Sequence, residues 1–555
     1  MPRPPQTPAQ LRLAAALKVL QGLQRRGKTI LRSSDFEAAA RRALVDAGFL
    51  RQITRGWYFV SRPGEGPGDT TPWYAARRDF LAAYCTDRFG DAWHLDAGAS
   101  LQVHTAATHL SKQVIVWASA AANNTLELPD GCSLLDYKPR DVVPTDQVVQ
   151  VEGLRVMSLS TMLVRLAPTV FEQSPVDVQM AMSQIRDASD LCRALLTGGR
   201  SAVSGRLVGA FRATGREDVA DQIRETMRAA GYVVTETNPF VVQPILGLAA
   251  RTTSPHVRRM ELLWVQMREL VTRIMPPAPG LPTDPHAYLA QVAERYKADA
   301  YHSLSIEGYS VTDALIAKVA SGNWRPETDA ADAETRNALA AHGYWLAHQD
   351  VTESIRRILH GADAAETVWR DHGSWYRQLF SPSVTAGLLD ASDLAGYRSQ
   401  PVYIRNAQHV PPSPHAVRDL IPVLFDHLRE EPDAAVRAVL GHFFFVFVHP
   451  YPDGNGRMGR FLMNTMLASG GYPWTIIAVD QRARYFAALE TASVQADIAP
   501  FALFVRERLA APVEVSDISD VPQRVRAETL RSEDSAPRVR AAEPEPPTPI
   551  EPPTR

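Results

Sequence analysis

The chain has 555 residues, too many for one apolar core, so several domains are expected; its 45 % hydrophobic and 22 % charged composition is that of an ordinary soluble protein. A net charge of −2 gives the whole molecule no bias towards nucleic acid or anionic lipid, and Cys85, Cys132 and Cys192 are too few and too scattered for a disulfide scaffold or a zinc site. No run approaches the roughly 20 apolar residues of a membrane span, and the opening MPRPPQTPAQ lacks the apolar core of a signal peptide, so a cytoplasmic location without membrane contact is expected.

The first block, residues 10–62, is compact and basic. Apolar residues recur at helical spacing over 11–23, and Arg25-Arg26-Gly27-Lys28 turns the chain. Ser33 or Ser34 is placed to cap a second helix over 35–47, which stops at Gly48. Phe49-Leu50-Arg51-Gln52-Ile53 and Gly56-Trp57-Tyr58-Phe59-Val60, parted by Thr54-Arg55, read as a hairpin. Helices followed by a small hairpin describe a winged helix-turn-helix. Residues 1–62 hold twelve Lys/Arg against three Asp/Glu, which leaves the rest of the chain acidic. Ala43-Leu44-Val45-Asp46-Ala47-Gly48-Phe49-Leu50 followed by Arg55-Gly56-Trp57-Tyr58-Phe59 resembles the winged-helix antitoxin and regulator family of abortive infection systems, more loosely as far as about residue 190. That resemblance implies DNA binding through residues 10–62, with the helix after Ser33 in a major groove and Arg51, Arg55 or Arg62 on phosphates.

Residues 62–68, rich in Pro and Gly, read as a linker. An α/β accessory domain is expected over 70–235, with strands at 113–117 and 148–151, helices at 159–166 and 218–230, and no catalytic cluster. A helical linker over 236–284 ends in the Pro-rich 276–282, and 285–511 is mostly helical. Residues 512–555, dense in Pro, Glu and Arg, are expected to be disordered. The fold class is therefore mainly α and multidomain, with a winged helix, an α/β middle domain, a helical C-terminal domain and a disordered tail.

The chemistry is concentrated in His449-Pro450-Tyr451-Pro452-Asp453-Gly454-Asn455-Gly456-Arg457-Met458-Gly459-Arg460. Asp453-Gly454-Asn455-Gly456 alternates glycine with residues that tolerate positive φ, so the backbone can curl and point successive N–H groups inward. Met458, Phe461, Leu462, Met466 and Leu467 then suit a partly buried helix, so the loop delivers those groups at a helix N-terminus, where an anion is stabilised. Arg457 and Arg460, three apart, lie on nearly the same face and can reach phosphates. Asp453 puts negative charge where a Mg²⁺ bridging phosphates sits, and His449 can accept a proton from a hydroxyl.

This segment closely resembles the Fic-family signature, His-x-Phe-x-Asp/Glu-Gly-Asn-Gly-Arg-x-x-Arg, and departs from it only at Tyr451, an aromatic swap at an inward-packing position. The resemblance spans about residues 285–511. It implies an all-α domain in which His449 is the general base towards a Ser, Thr or Tyr hydroxyl, and Asp453 holds the Mg²⁺ bridging the α- and β-phosphates of ATP. It also implies that Gly454, Asn455 and Gly456 form the anion hole with Asn455 on the α-phosphate, while Arg457 binds the α/β region and Arg460 the γ-phosphate. The implied reaction leaves AMP on a target protein, or on the enzyme itself, and releases pyrophosphate. Relatives that phosphorylate instead carry a lysine where this chain has Gly456.

Two further segments fit the same family. Gly396-Tyr397-Arg398-Ser399-Gln400-Pro401-Val402-Tyr403-Ile404 resembles its flap, a β-hairpin whose Val402, Tyr403 and Ile404 dock the target backbone by edge-strand addition. Around 296–308, Ser303 and Glu307 are four apart and share a helix face that Gly308 can end. Ser-x-x-x-Glu-Gly is the family's inhibitory motif, and it implies that Glu307 pairs with Arg460 and blocks placement of the γ-phosphate. The resemblance also leaves room for a second copy of the chain as partner. The competing reading is a DNA-binding regulator whose Fic part senses nucleotide or is weakly active.

Overall fold

A computed structural model describes residues 7–61, 71–198, 200–240, 254–321, 336–389, 391–404 and 407–510. The expected linker at 62–68, with Arg62, and the expected disordered tail at 512–555 lie outside the described residues. No helix among the described residues is long and apolar enough to cross a membrane.

The first helix, Pro8–Arg25, opens with a capping box in which Thr7 and Gln10 satisfy each other's backbone N–H groups, with Pro8 in the first turn. Ala16, Leu20 and Leu23 fall on its buried face, against Leu31, Leu44 and Leu50. Strands β1 (Ile30–Arg32), β2 (Leu50–Thr54) and β3 (Trp57–Val60) form an antiparallel sheet in the order β1-β3-β2. The hairpin is where the sequence places it, whereas β1 is an addition. The second helix runs over Ala38–Asp46 and is capped neither by Ser33 nor by Ser34. Asp35 draws those residues back into a 3₁₀ turn, because its carboxylate accepts from the Arg32 N–H and from Lys28. Several of the basic side chains are engaged within the protein. Lys28 pairs with Asp35, Arg32 pairs with Asp87 while lying 4.0 Å over the Trp57 ring, and Arg41 donates to the Ser33 carbonyl.

The middle domain holds β4 (Trp93–Leu95), β5 (Gln113–Ala118), β6 (Thr125–Leu128) and β7 (Cys132–Tyr137) in the order β4-β5-β7-β6, with β5 and β7 parallel. A separate hairpin pairs β8 (Val148–Val151) with β9 (Leu154–Met157). Helices Leu159–Arg165 and Glu217–Ala229 lie within a residue of their expected positions at either end. Trp57 and Phe59 share one apolar core with Trp73 and Phe80, so the N-terminal sheet is seated on the middle domain rather than standing apart from it.

The helical C-terminal part has one continuous core, and that core begins earlier than expected. Helix Pro255–Ile274, inside the expected 236–284 linker, buries Leu263, Trp264, Met267 and Val271 in it. Trp264 stacks on Phe444, and Arg268 makes a bidentate ion pair with the buried Glu431 at 2.6 and 3.0 Å. The proline-rich stretch is held as well: Gly280 N–H donates to Gly470 O and Tyr472 Oη donates to Pro276 O. Helix Ala434–Val448 contains the run Phe443-Phe444-Phe445-Val446-Phe447-Val448, whose strand propensity is overridden because nearly every position of this helix is buried between neighbouring helices. Asp433 caps its start through the N–H groups of Ala435 and Val436.

The expected flap hairpin is corrected. Residues 396–404 form bends and irregular chain with no strand ladder. Pro401 on one limb and Pro411 and Pro412 on the other remove the N–H donors a ladder needs. The buried Arg398 ties the segment to the core instead, as its backbone N–H donates to Pro450 O and its Nε donates to His449 O at 2.7 Å.

Candidate active site

Two left-handed corners shape the loop. Helix Ala434–Val448 ends at His449 with φ +53° and ψ +60°, and Gly454, with φ +79°, opens helix Asn455–Ala468. The glycine adopts that conformation without a Cβ clash, whereas the histidine is held there at a cost of roughly 1–2 kcal/mol. Its Nδ1 lies 3.0 Å from Val446 O, which fixes the neutral ring with the proton on Nδ1 and leaves the Nε2 lone pair free to act. Burial holds this imidazole below the ordinary 6.5; the Val446 carbonyl opposes that and Arg398 adds to it.

The side chain of Asn455 is engaged with the backbone of its own loop. Its Oδ1 accepts from Tyr451 N–H and its Nδ2 donates to Tyr451 O, both at 2.9 Å, in a buried position. The amide thus closes the loop on itself, and Tyr451 is packed inward against Tyr376 at 3.9 Å between ring centroids. Replacing Asn455 with alanine is expected to lower stability by on the order of 1–3 kcal/mol for each orphaned backbone group, with activity falling alongside. Thermal melts check this; an unchanged Tm with lost activity would make the side chain a ligand contact rather than a clasp.

Arg457 and Arg460 are both buried. The Arg457 guanidinium lies between the rings of Tyr309 (5.3 Å) and Phe380 (5.0 Å), with Asp453 3.6 Å away at the loop mouth. Arg460 Nε donates to Ser303 Oγ at 2.9 Å, and its Nη2 donates to Ser303 O at 3.1 Å and to Glu307 Oε1 at 2.7 Å. Burial works against its charge, and Glu307, with Tyr485 and Tyr344, more than offsets it, so Arg460 stays a cation. Arg457 Nε and Arg460 Nη1 have no hydrogen-bond partner among the described residues. Two buried cationic donors with unspent N–H groups beside a helix N-terminus are what a polyphosphate requires.

Glu307 fills that space from the other side. It caps helix Pro285–Ile306, which Gly308 terminates at φ +84° with Tyr309 N–H reaching back to Leu304 O. A Cβ added at Gly456 would come within 2.3 Å of Glu307 Oε1, so the carboxylate touches the loop itself. The structure therefore brings together His449, Asp453, Gly454, Asn455, Gly456, Arg457, Arg460, Ser303 and Glu307. Val402, Tyr403 and Ile404 lie on the flap segment, joined to this centre through Arg398.

Sequence reasoning missed two residues. Arg398 anchors the flap to the His449 carbonyl from 51 positions away. Asp299, one turn before Ser303, is buried, accepts from Tyr344 Oη at 2.5 Å, and is raised to about 6 by burial against the opposing pull of that hydroxyl and of Arg460. Only its four-residue spacing from Ser303 was available as a signal.

A helical domain with a phosphate-shaped loop at a helix N-terminus is thus the class the site defines. Residues 370–467 match the Fic/DOC family model. Curated relatives include the protein adenylyltransferase Fic of Drosophila willistoni, 30 % identical over 238 residues (42 % of this chain, 44 % of that one), and that of Drosophila virilis, 30 % identical over 238 residues (42 % and 45 %). The chain spans less than half the length of these curated relatives. Among solved structures, Fic-1 (residues 134–508) of C. elegans is 20 % identical, with a TM-score of 0.34, covering 67 % of this chain and 93 % of that one.

Proposed function

We propose that the protein is an autoinhibited adenylyltransferase that moves AMP from ATP to a Ser, Thr or Tyr hydroxyl of a protein substrate. The observation that carries this is the neighbourhood of His449, with its free Nε2, and the loop bearing the unspent donors of Arg457 and Arg460. The hydroxyl oxygen attacks the α-phosphorus while its proton passes to His449 Nε2. The bond from that phosphorus to the α,β-bridging oxygen breaks, and pyrophosphate leaves. Charge developing on the phosphate oxygens meets the N–H groups of Gly454, Asn455 and Gly456, with Arg457 at the α/β region and Arg460 at the γ-phosphate.

Among the described residues no group of three His, Cys, Asp or Glu side chains could cage a metal. The single, 63 % exposed carboxylate of Asp453 nevertheless fits a Mg²⁺ that arrives on phosphates and keeps most of its waters. Held by Asp453, that ion would supply neutralisation of the phosphate charge.

Glu307 acts as the brake, because its carboxylate lies against Gly456 and holds the arginine meant for the γ-phosphate. The DNA-binding regulator reading is not adopted: Lys28, Arg32 and Arg41 are engaged within the protein. The test is to incubate the Glu307→Gly protein with ATP labelled on either the α- or the γ-phosphate. Label is expected on protein from the α-phosphate only; γ-label on protein would turn the assignment to phosphoryl transfer.

A further inference from the structure

Arg460 answers to two carboxylates of one helix, and only one of them is placed to leave. Asp299, Ser303 and Glu307 fall four residues apart along helix Pro285–Ile306 and its cap, so they share one stripe. Glu307 is the cap itself, past the last helical residue, with a side chain 26 % exposed. Asp299 lies about two turns further in and is 4 % exposed. A helix end opens locally at small cost, whereas a buried interior turn does not.

Asp299 reaches Arg460 through two hydroxyls. Arg460 Nε donates to Ser303 Oγ at 2.9 Å. Ser303 is in turn a hydrogen-bond partner of the Tyr344 hydroxyl, which donates to Asp299 Oδ2 at 2.5 Å. Burial, with Asp299 beside it, raises the Tyr344 phenol well above its ordinary range, so it keeps the proton it gives to the carboxylate. The Ser303 proton is then directed at Tyr344, which leaves the serine lone pairs to the guanidinium. All three bonds run the same way, from cation to anion, and each polarises the next. The charge of Arg460 also acts on Asp299 directly, stabilising its ionised form.

A role in the fold alone accounts poorly for this carboxylate. Asp299 and Tyr344 join helix Pro285–Ile306 to helix Arg336–Leu359, a task an apolar pair performs without burying a charge. Withdrawal of Glu307, by contrast, leaves the buried Arg460 without its direct counter-ion.

We propose that Asp299 is a positioning residue for Arg460: through Tyr344 and Ser303 it keeps the guanidinium in place for the γ-phosphate once Glu307 has withdrawn. The inference rests on the adenylyltransferase reading above, which puts a γ-phosphate at Arg460. It gives a buried carboxylate outside the catalytic loop a task in nucleotide binding.

The test uses the full chain carrying Glu307→Gly and His449→Ala, which binds nucleotide without turnover, and calorimetry with ATP or ADP in the presence of Mg²⁺. Asp299→Asn and Tyr344→Phe, each close in shape to the native side chain, are expected to weaken ATP binding roughly five- to tenfold. ADP lacks the phosphate that Arg460 meets, and its binding is expected to stay within about a factor of two. The two changes made together are expected to cost no more than either alone, because they cut one relay. Unchanged ATP binding overturns the proposal, and so do additive losses. Equal weakening of ATP and ADP also overturns it, because the two residues then serve the fold. A parent chain that binds neither nucleotide removes the adenylyltransferase reading, and this one with it; ATP binding that neither variant alters removes this one alone.

Discussion

Glu307→Gly is expected to raise AMP labelling roughly ten- to a hundredfold over the wild-type chain. The estimate follows from the contact being removed: a charge-assisted hydrogen bond of 2.7 Å between Glu307 and the buried Arg460, worth about 1.5–3 kcal/mol, where each 1.4 kcal/mol is a factor of ten. The side chain must also leave the space beside Gly456 before a phosphate can enter. Arg460 keeps Ser303 Oγ and Ser303 O after the change, so its position is retained while its charge loses a counter-ion. The variant is therefore expected to melt at a lower temperature without nucleotide and to recover more than the wild type when Mg²⁺ and ATP are added. Thermal melts with and without nucleotide check this, and equal recovery in both proteins would count against competition between Glu307 and the γ-phosphate.

His449 carries the second large effect. His449→Ala is expected to cost about 10²–10⁴ in labelling rate, the usual range for loss of a positioned general base. A separate expectation concerns stability, because His449 is a left-handed helix cap. His449→Gly should be equally inactive yet at least as stable as the wild type, since glycine adopts φ +53° without strain. The pH dependence has a definite sign. The base acts in its neutral form, and burial depresses its protonation below 6.5. Activity is therefore expected to climb with pH through a midpoint below 6.5 and to be flat around neutrality. A midpoint above 6.5 in a rate–pH profile would point to another group.

The catalytic loop was readable because its residues are consecutive and their spacing relates directly to a turn followed by a helix. Glu307 was readable at a distance of 153 positions only through the family motif, since no periodicity links it to Arg460. Arg398 and Asp299 were invisible because their partners, the His449 carbonyl and the Tyr344 hydroxyl, come from distant helices and mark no local pattern. The side-chain task of Asn455 was not legible, because side-chain amides serve loop closure and ligands equally well and only the Tyr451 backbone shows which partner this one takes. The flap was read as a hairpin from family likeness, against the prolines in its limbs. Helix Pro255–Ile274 was placed in a linker because the Pro-rich 276–282 that follows it reads as a boundary, although its apolar face completes the core beneath the Phe-rich helix.

The central claim is an AMP-transfer loop held off by a carboxylate of its own chain. It is tested most directly by incubating three proteins side by side with α-labelled ATP: the wild type, Glu307→Gly, and Glu307→Gly combined with His449→Ala. Weak labelling, strong labelling and near-background labelling are predicted in that order. Equal labelling of the first two, or undiminished labelling of the third, would contradict it.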